Sequence, residues 1–567
     1  MGLTLLPCAG LAAPMLNTRV ESVEDTFTGV GQGDPILDTA AFRALAARGR
    51  PFYARGDYQI ARRIRLATGA QVIGRGSRKA RLVAKTGPGQ LDRDRATGGA
   101  GGEDNTMFHA DGAEGIAFEN LLFEMEWHDD IRTVRPIVLD RCVGARIESC
   151  DITGFKDPHG GLVTLDRSDR FVIRNLRGFE IFSDSVDPDR LPAQQISLIE
   201  FDNNSGTTPS LSFEIDGVHG WSITQGPASS SHYGYQTDLV NGQGRGHTGG
   251  IIRNLHAVGL GEVLDFWGSG ARIDRVEAKD TIGSVLKFVY GASRNLVRNI
   301  TSDGCGLSQI LVATSSNPLA RDAPTGNRFE GLKLMNSGSG WRRHWGSKNG
   351  PAVSPQAAIS LETAAGNPEH GPADNHFSGV VHAQDAASCP VLVMANRTGP
   401  RNTFAGDLLV PAGGRAIAIL HDDAHAPGLT VRLASPIKLN LTAAPREGDT
   451  ALVAREDLRR QWNSESQTFT PLVPGSFRIH GALYPPRKAA WPDGIRLRLW
   501  EGDVLVASLS PVREDTGRLR LAVDVQHRLD SNSVPTDSGS APDTLRFEWT
   551  GVLDNDLSRI TIEIEAD

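Results

Sequence analysis

No stretch of about 18 consecutive apolar residues occurs in the 567-residue chain, so no membrane span is expected. Its five cysteines, Cys8, Cys142, Cys150, Cys305 and Cys389, are odd in number, scattered, and include no CxxC pair. Neither a disulfide framework nor a zinc site is indicated, and no cofactor or metal is expected. Positive charge is not in excess. The net charge is −8 and the pI near 6.0, which argues against a phosphate-binding surface and hence against nucleic acid as a partner. Aromatic residues make up only 6% of the chain, whereas glycines number 63. That pairing suits short strands and tight turns better than packed helices. The apolar start, Met1 to Leu16, ends in small residues that resemble a cleavage site but lacks the positive n-region of a secretory signal. It reads either as a trimmed or atypical signal or as a segment packing on its own domain or a partner. The length calls for two or more domains.

A short phrase recurs through the middle of the chain: an apolar residue, two mostly polar ones, then an apolar or small one, often with Asn or Gly in third place. Instances are Phe118-Glu-Asn-Leu121, Ile147-Glu-Ser-Cys150, Ile173-Arg-Asn-Leu176, Ile223-Thr-Gln-Gly226, Ile252-Arg-Asn-Leu255, Ile273-Asp-Arg-Val276, Val297-Arg-Asn-Ile300, Phe329-Glu-Gly-Leu332, Phe377-Ser-Gly-Val380 and, as a poor match, Phe404-Ala-Gly-Asp407. Successive starts lie 29, 26, 50, 29, 21, 24, 32, 48 and 27 residues apart. The two large gaps read as double steps of a period near 25. A second phrase precedes the first in some coils, at Leu139-Asp-Arg-Cys142, Leu165-Asp-Arg-Ser168 and Ile215-Asp-Gly-Val218. Two strand phrases per period without helical runs between them indicate a parallel β-helix. Cys142 and Cys150 fall within the phrases and read as small buried apolar residues.

Strand alternation separates inside from outside. Leu264 and Phe266, Leu286 and Phe288, Ile310 and Val312, and Ile359 and Leu361 are expected to stack inward. Asp265, Lys287, Leu311 and Ser360 then face outward, with Trp267 and Glu362 in the same parity. Adjacent coils lie ~4.8 Å apart, which lets Asp265 and Lys287 pair, most simply as a solvated ion pair.

The stretch Gly33-Asp-Pro-Ile-Leu-Asp-Thr-Ala-Ala-Phe42 resembles the G-D-G-x-x-D-D-T-A-A-F entry of pectate-lyase-like β-helices. Phe52-Tyr-Ala-Arg-Gly-Asp-Tyr58 and Gln71-Val-Ile-Gly-Arg-Gly76 are similar to the strands that follow in that family. The resemblance implies a right-handed parallel β-helix over about residues 25–435, with Thr39 to about Ala47 as its N-terminal capping helix. It departs at Pro35 and Ala54, where the family has Gly and Pro.

After Phe404 the phrase stops, and Pro427 to Pro436 reads as a last coil or linker. Beyond it lie strictly alternating stretches such as Gly494-Ile-Arg-Leu-Arg-Leu-Trp500 and Arg518-Leu-Arg-Leu-Ala-Val-Asp-Val525, the pattern of half-buried antiparallel strands in a sandwich. Gln467-Thr-Phe-Thr-Pro-Leu-Val-Pro-Gly475 is similar to complement/tumour-necrosis-factor-type jelly rolls, which implies a homotrimer. A generic carbohydrate-binding sandwich competes with that reading. The expected organisation is therefore all-β: an N-terminal segment (1–30), a parallel β-helix (31–435) and a C-terminal antiparallel β-sandwich (436–567).

A β-helix has a packed interior, so chemistry belongs on an outer face or in insertions. Insertions stand out at 123–134, 181–195, 226–248, 314–327 and 337–356. The third supplies Tyr233, Tyr235, Asp238 and His247. Its order is faintly like the N-T-D and G-H-G motifs of polygalacturonases, without their other carboxylates or R-I-K. The fifth holds Trp341-Arg-Arg-His-Trp345, in which Trp341 and Trp345 suit sugar faces and Arg342 and Arg343 suit anionic sugars, or in which Trp simply plugs a loop. Trp127 with His128, Asp129 and Asp130 reads as solvated turn residues. Glycoside hydrolysis needs two carboxyl groups ~5–9 Å apart, a demand that Asp238, Asp265 and Glu262 meet in type. Elimination from a uronic acid needs a base and a cation, for which Lys287, His247 and Tyr235 qualify. Trp267 joins the substrate-binding set. The expected protein is a tail-spike-like polysaccharide depolymerase, extracellular on a virion tail or secreted. A secreted bacterial lyase, hydrolase or epimerase and a non-catalytic receptor-binding spike are the alternatives.

Overall fold

One left-handed residue per bend turns this chain into a coil. The third place of the recurring phrase has φ near +55° at Asn120, Ser149, Asn175, Asn254, Arg275 and Asn299 (52–56°), while Gly217 and Gly331 take it at 68° and 69°. A Cβ disfavours that region, and Gly and Asn tolerate it best. At Gly331 a Cβ would also lie 3.1 Å from Asn299 Oδ1 of the coil before. The phrase is thus the signature of a bend between two short strands.

The structure, a computed structural model, describes residues 20–85, 91, 106–125, 134–155, 160–183, 196–202, 212–225, 237–243, 247–281, 283–305, 308–314, 322–337, 356–362, 371–383, 388–394, 401–409, 417–420, 429–433, 438–446, 449–456, 462–463, 468–469, 475–483, 496–501, 504–510, 512–513, 519–529, 545–550 and 562–566. Among these, strands up to Leu433 pair in parallel in a 19-stranded and a 12-stranded sheet, which the chain visits in turn. Such crossovers are right-handed almost without exception. The chain is a right-handed parallel β-helix.

One column of partners runs unbroken from coil to coil: Phe52, Val72, Phe118, Ile147, Ile173, Ile215, Ile252, Ile273, Val297, Phe329, Phe377, Phe404 and Val431. It corrects the phrase reading twice. Ile173 pairs directly with Ile215, and Phe329 with Phe377, so the gaps taken as double steps are single coils carrying long excursions. The coil after Ile173 bends at Ile215-Asp-Gly-Val218, while Ile223 lies farther along the same strand, opposite Ile181. The poor match at Phe404 is a genuine coil, and Leu429–Leu433 adds a last one. The expected inward pairs from Leu264/Phe266 to Ile359/Leu361 are all buried and in register.

The cap helix spans Pro35–Ala46, beginning earlier than Thr39. Pro35 fits because the first helical position needs no N–H partner, and Asp34 accepts from the Ile36 and Leu37 N–H groups at 2.9 and 3.2 Å. Asp38, fully buried, accepts from the Gly31 and Gln59 N–H groups at 2.7 and 2.8 Å. Phe42 packs edge-on against Phe52, Tyr58 and Phe108. The motif residues tie the helix to the first coils.

Four late coils share a buried asparagine two residues before the column residue. The Asn295 side-chain amide donates to Asn327 Oδ1 at 3.0 Å, Asn327 to Asn375 at 2.9 Å and Asn375 to Asn402 at 3.1 Å, and each Oδ1 also accepts the backbone N–H of the coil before. Replacing Asn327 by Ala strands partners on both sides. The expected loss is about 2–4 kcal/mol, read by urea unfolding, because buried groups would be left unsatisfied.

From Lys438 to Ala566 the strands are antiparallel, in one six-stranded and one five-stranded sheet. Leu497 and Leu499 are buried while Arg496 is exposed, as the alternation requires. No helix among the described residues is long and apolar enough to cross a membrane.

Candidate functional site

In the 12-stranded sheet several strands carry two consecutive buried apolar residues: Leu162–Val163, Leu198–Ile199, Leu239–Val240, Val263–Leu264 and Val285–Leu286. Strict alternation would send one of each pair outward. The doubling instead leaves the residues on either side of the pair on the same outer face. Glu262 and Asp265 accordingly reach one ammonium, that of Lys287, at 3.4 and 2.8 Å. Two outward columns result. One carries Ser197, Asp238 and Glu262, the other Glu200, Asn241, Asp265 and Lys287.

Asp238, Glu262, Asp265 and Lys287 form one cluster. Asp238 is 0%, Asp265 2% and Glu262 7% exposed. This is no solvated ion pair; the expectation for Asp265 and Lys287 is corrected. Ser197 Oγ donates to Asp238 Oδ2 at 3.4 Å, Asp238 lies on the rung next to Glu262, and the Trp267 indole N–H donates to Asp265 Oδ1 at 3.0 Å. Burial pushes the Glu262 carboxyl up despite the pull of Lys287, with Asp265 adding to the rise. Burial opposes the charge on Lys287, but Asp265 and Glu262 outweigh it and hold the ammonium well above its ordinary value. Three acids facing one base is not the rule elsewhere. On the 19-stranded sheet, outward Glu124, Asp151, Glu214, Asp216 and Glu330 pair with Arg81, Arg177, Arg174, Arg253 and Arg298 at 2.6–2.9 Å.

Trp267 is half-buried and lies against Tyr290 of the next coil, ring centroids 3.8 Å apart. The rings are tilted by 45°, and the indole N–H bond sets this aromatic pair beside the cluster. His247 is not in the cluster. It is buried in the core, edge-on to Phe201 and Phe213 at 4.8 and 6.2 Å, so it is corrected from a catalytic to a packing residue. Tyr233, Tyr235, Trp341, Arg342, Arg343 and Trp345 lie outside the described residues, as do Trp127, His128, Asp129 and Asp130. Cys142 and Cys150 are buried as expected, and burial pushes their thiols up to about 11 and about 12. The insertion set at 226–248 contains a full strand, Thr237–Gln243. Asn241, Glu200 and Tyr290 escaped the sequence reading.

The same face carries further carboxyls raised chiefly by burial: Asp166, Glu200 and Glu362 beside Glu262. A group that binds its proton more tightly when folded adds stability that is complete below its unfolded value (~4) and lost as pH rises through the folded value. Asp111 and Asp374 have the opposite sign, lowered by hydrogen bonds from Arg141 and Arg401. Their contribution fails only below the ordinary carboxylate range. Burial lowers His109 and His219, so their protonation costs stability as pH falls below the unfolded histidine value (~6.5); with both replaced by Gln, the melting temperature is expected to rise as pH falls from 8 to 5, measured by differential scanning calorimetry in constant ionic strength.

No family model matches the chain, and no curated protein matches it. Several solved structures are similar to it. One is the surface adhesin PfbA of Streptococcus pneumoniae, with 12% identity over 77% of this chain and 99% of that one, TM-score 0.33. Another is a double mutant of the tailspike protein of E. coli bacteriophage HK620 in complex with pentasaccharide, with 9% identity, 96% and 93% coverage and TM-score 0.35. A third is DFA-IIIase from Arthrobacter chlorophenolicus A6 in complex with GF2, with 13% identity, 68% and 93% coverage and TM-score 0.37. At these identities the likeness assigns no residue a role.

Proposed function

We propose that the chain binds a polysaccharide along the outer face of the 12-stranded sheet and hydrolyses it at Asp265 and Glu262. The observation that carries this reading is the cluster of three carboxyls around one lysine, with Glu262 pushed up by burial. A raised carboxyl is a proton donor for the glycosidic oxygen, and a neighbouring carboxylate serves as nucleophile or as base toward water. The aromatic pair of Trp267 and Tyr290 offers a ring on which a sugar face can stack. Elimination is the weaker chemistry here. Lys287 is held protonated by its acidic neighbours, and His247 is in the core, so neither serves as the base.

Incubation with a panel of bacterial surface polysaccharides tests the reading. New reducing ends without an unsaturated-uronate chromophore are the expected products. Appearance of that chromophore would replace hydrolysis by elimination. One observation favours a second reading, a non-catalytic receptor-binding spike: the depth of the cluster, with Asp238 at 0% exposure. A polysaccharide that binds tightly and yields no product would establish it. The reading further includes an extracellular or virion-borne homotrimer, supported by the Phe469-Thr-Pro phrase. Sedimentation equilibrium of the intact chain tests it, and a monomer would overturn it.

A further inference from the structure

Two buried polar side chains beside the cluster have no hydrogen-bond partner among the described residues. The Asn241 amide is 0% exposed, yet neither its nitrogen nor its oxygen has a hydrogen-bond partner. The Ser284 hydroxyl, beside Glu262 on the next coil, is 1% exposed and equally unpartnered. Native proteins hold few such groups, because a buried amide without a partner destabilises the folded state. Asn241 sits on the rung between Glu200 and Asp265, ~4.8 Å from either strand, and bonds to neither carboxyl. A primary amide donates and accepts at once. The group that answers both functions in so small a space is a hydroxyl.

We propose that Asn241 is a ligand-binding residue that receives a sugar hydroxyl between Glu200 and Asp265, and thereby helps to select the sugar presented to Asp265. The inference rests on the glycan reading given above and deepens it. A structural asparagine would be tied into the protein, as Asn327 is on both sides. Among the described residues Asn241 has no such ties, so no hydrogen bond of the fold depends on its amide.

That difference makes the test two-sided. Asn241→Ala and Asn241→Leu are made in the full chain, with melting temperature and glycan retention measured in parallel. The probes are alginate, polygalacturonate, hyaluronan, xanthan and dextran, immobilised separately. The melting temperature is expected not to fall in Asn241→Ala, since no protein hydrogen bond is lost. Retention of whichever probe the wild type holds is expected to drop roughly 10- to 100-fold, the worth of two net hydrogen bonds. A fall in melting temperature in both variants overturns the inference, because Asn241 would then be structural. A fall in Asn241→Leu alone reflects its greater bulk, and Asn241→Ala decides. Unchanged retention in both variants overturns the inference while the glycan reading stands. If the wild type retains none of the five probes, the glycan reading fails for them, and the assignment of Asn241 to a sugar hydroxyl is overturned with it.

Discussion

Asp265→Asn is expected to abolish glycan cleavage while leaving the coil folded. The substitution keeps the shape of the side chain and an oxygen able to accept the Trp267 indole N–H, now at 3.0 Å. It removes one negative charge from a cluster of three acids and one ammonium, and Lys287 retains Glu262 at 3.4 Å. The fold therefore loses little. The reaction loses its carboxylate, and the turnover expected to disappear is on the order of 10²–10⁴-fold, the usual weight of such a group. Product formation, circular dichroism and glycan retention measured together check the prediction. Lost turnover with retained binding is the expected result. Unchanged turnover would place the reaction elsewhere on the molecule.

Lys287→Met should do the reverse, damaging the fold first. Among the described residues the lysine is the single cation paired with Glu262 and Asp265, and its side chain is mostly buried. Removing one partner of a buried ion pair costs about 3–5 kcal/mol, because the remaining charge is stranded. The sign with pH is specific. In the wild type the ammonium is held above its ordinary value, so its contribution is complete below the unfolded lysine value (~10.4) and is lost only as pH rises through the folded value. In the variant Glu262 loses the cation that pulls it down, and its folded value moves further up. The deficit is then present at pH 7.5 and shrinks as pH falls toward the unfolded carboxylate values (~4). Urea unfolding at pH 7.5 and 4.5 reads this directly. A deficit equal at both pH values would mean that packing, not charge, was lost.

The coil was legible in sequence because its bend is sterically demanding. Asn and Gly at the third place of the phrase are what a left-handed backbone selects, and apolar residues beside them mark the inward column. Outward placement of Asp265, Lys287 and Trp267 followed from simple parity and agrees with the structure. Coil count did not follow, since a long excursion and an extra coil occupy similar lengths of chain. The strand Thr237–Gln243 was hidden for a packing reason. Its inward slot at Gly242 lies between the rings of Phe201 and Phe266, where a Cβ would come within 2.5 and 2.9 Å of them. A glycine in that slot erases the apolar alternation that marks a strand, and Asn241 beside it reads as loop. The doubled apolar pairs had a similar effect on Glu262, which strict parity cannot place on the face of Asp265. His247 misled in the other direction. Its setting between Gly246 and Thr248 suggests a polar loop, yet its ring fills the core beside Phe201.

The unbroken partner column has a bearing on how such a protein changes. The coil from Ile173 to Ile215 absorbs 42 residues and that from Ile252 to Ile273 only 21, yet both keep the same register. Length is therefore added between rungs without disturbing the rungs. The sequence excursions at 126–133, 184–195, 226–236 and 338–355 all join a strand of the 19-stranded sheet to one of the 12-stranded sheet. The spacing of the rungs is therefore indifferent to how much chain separates them, and residues can be gained or lost between Ile173 and Ile215 at no cost to the register of either.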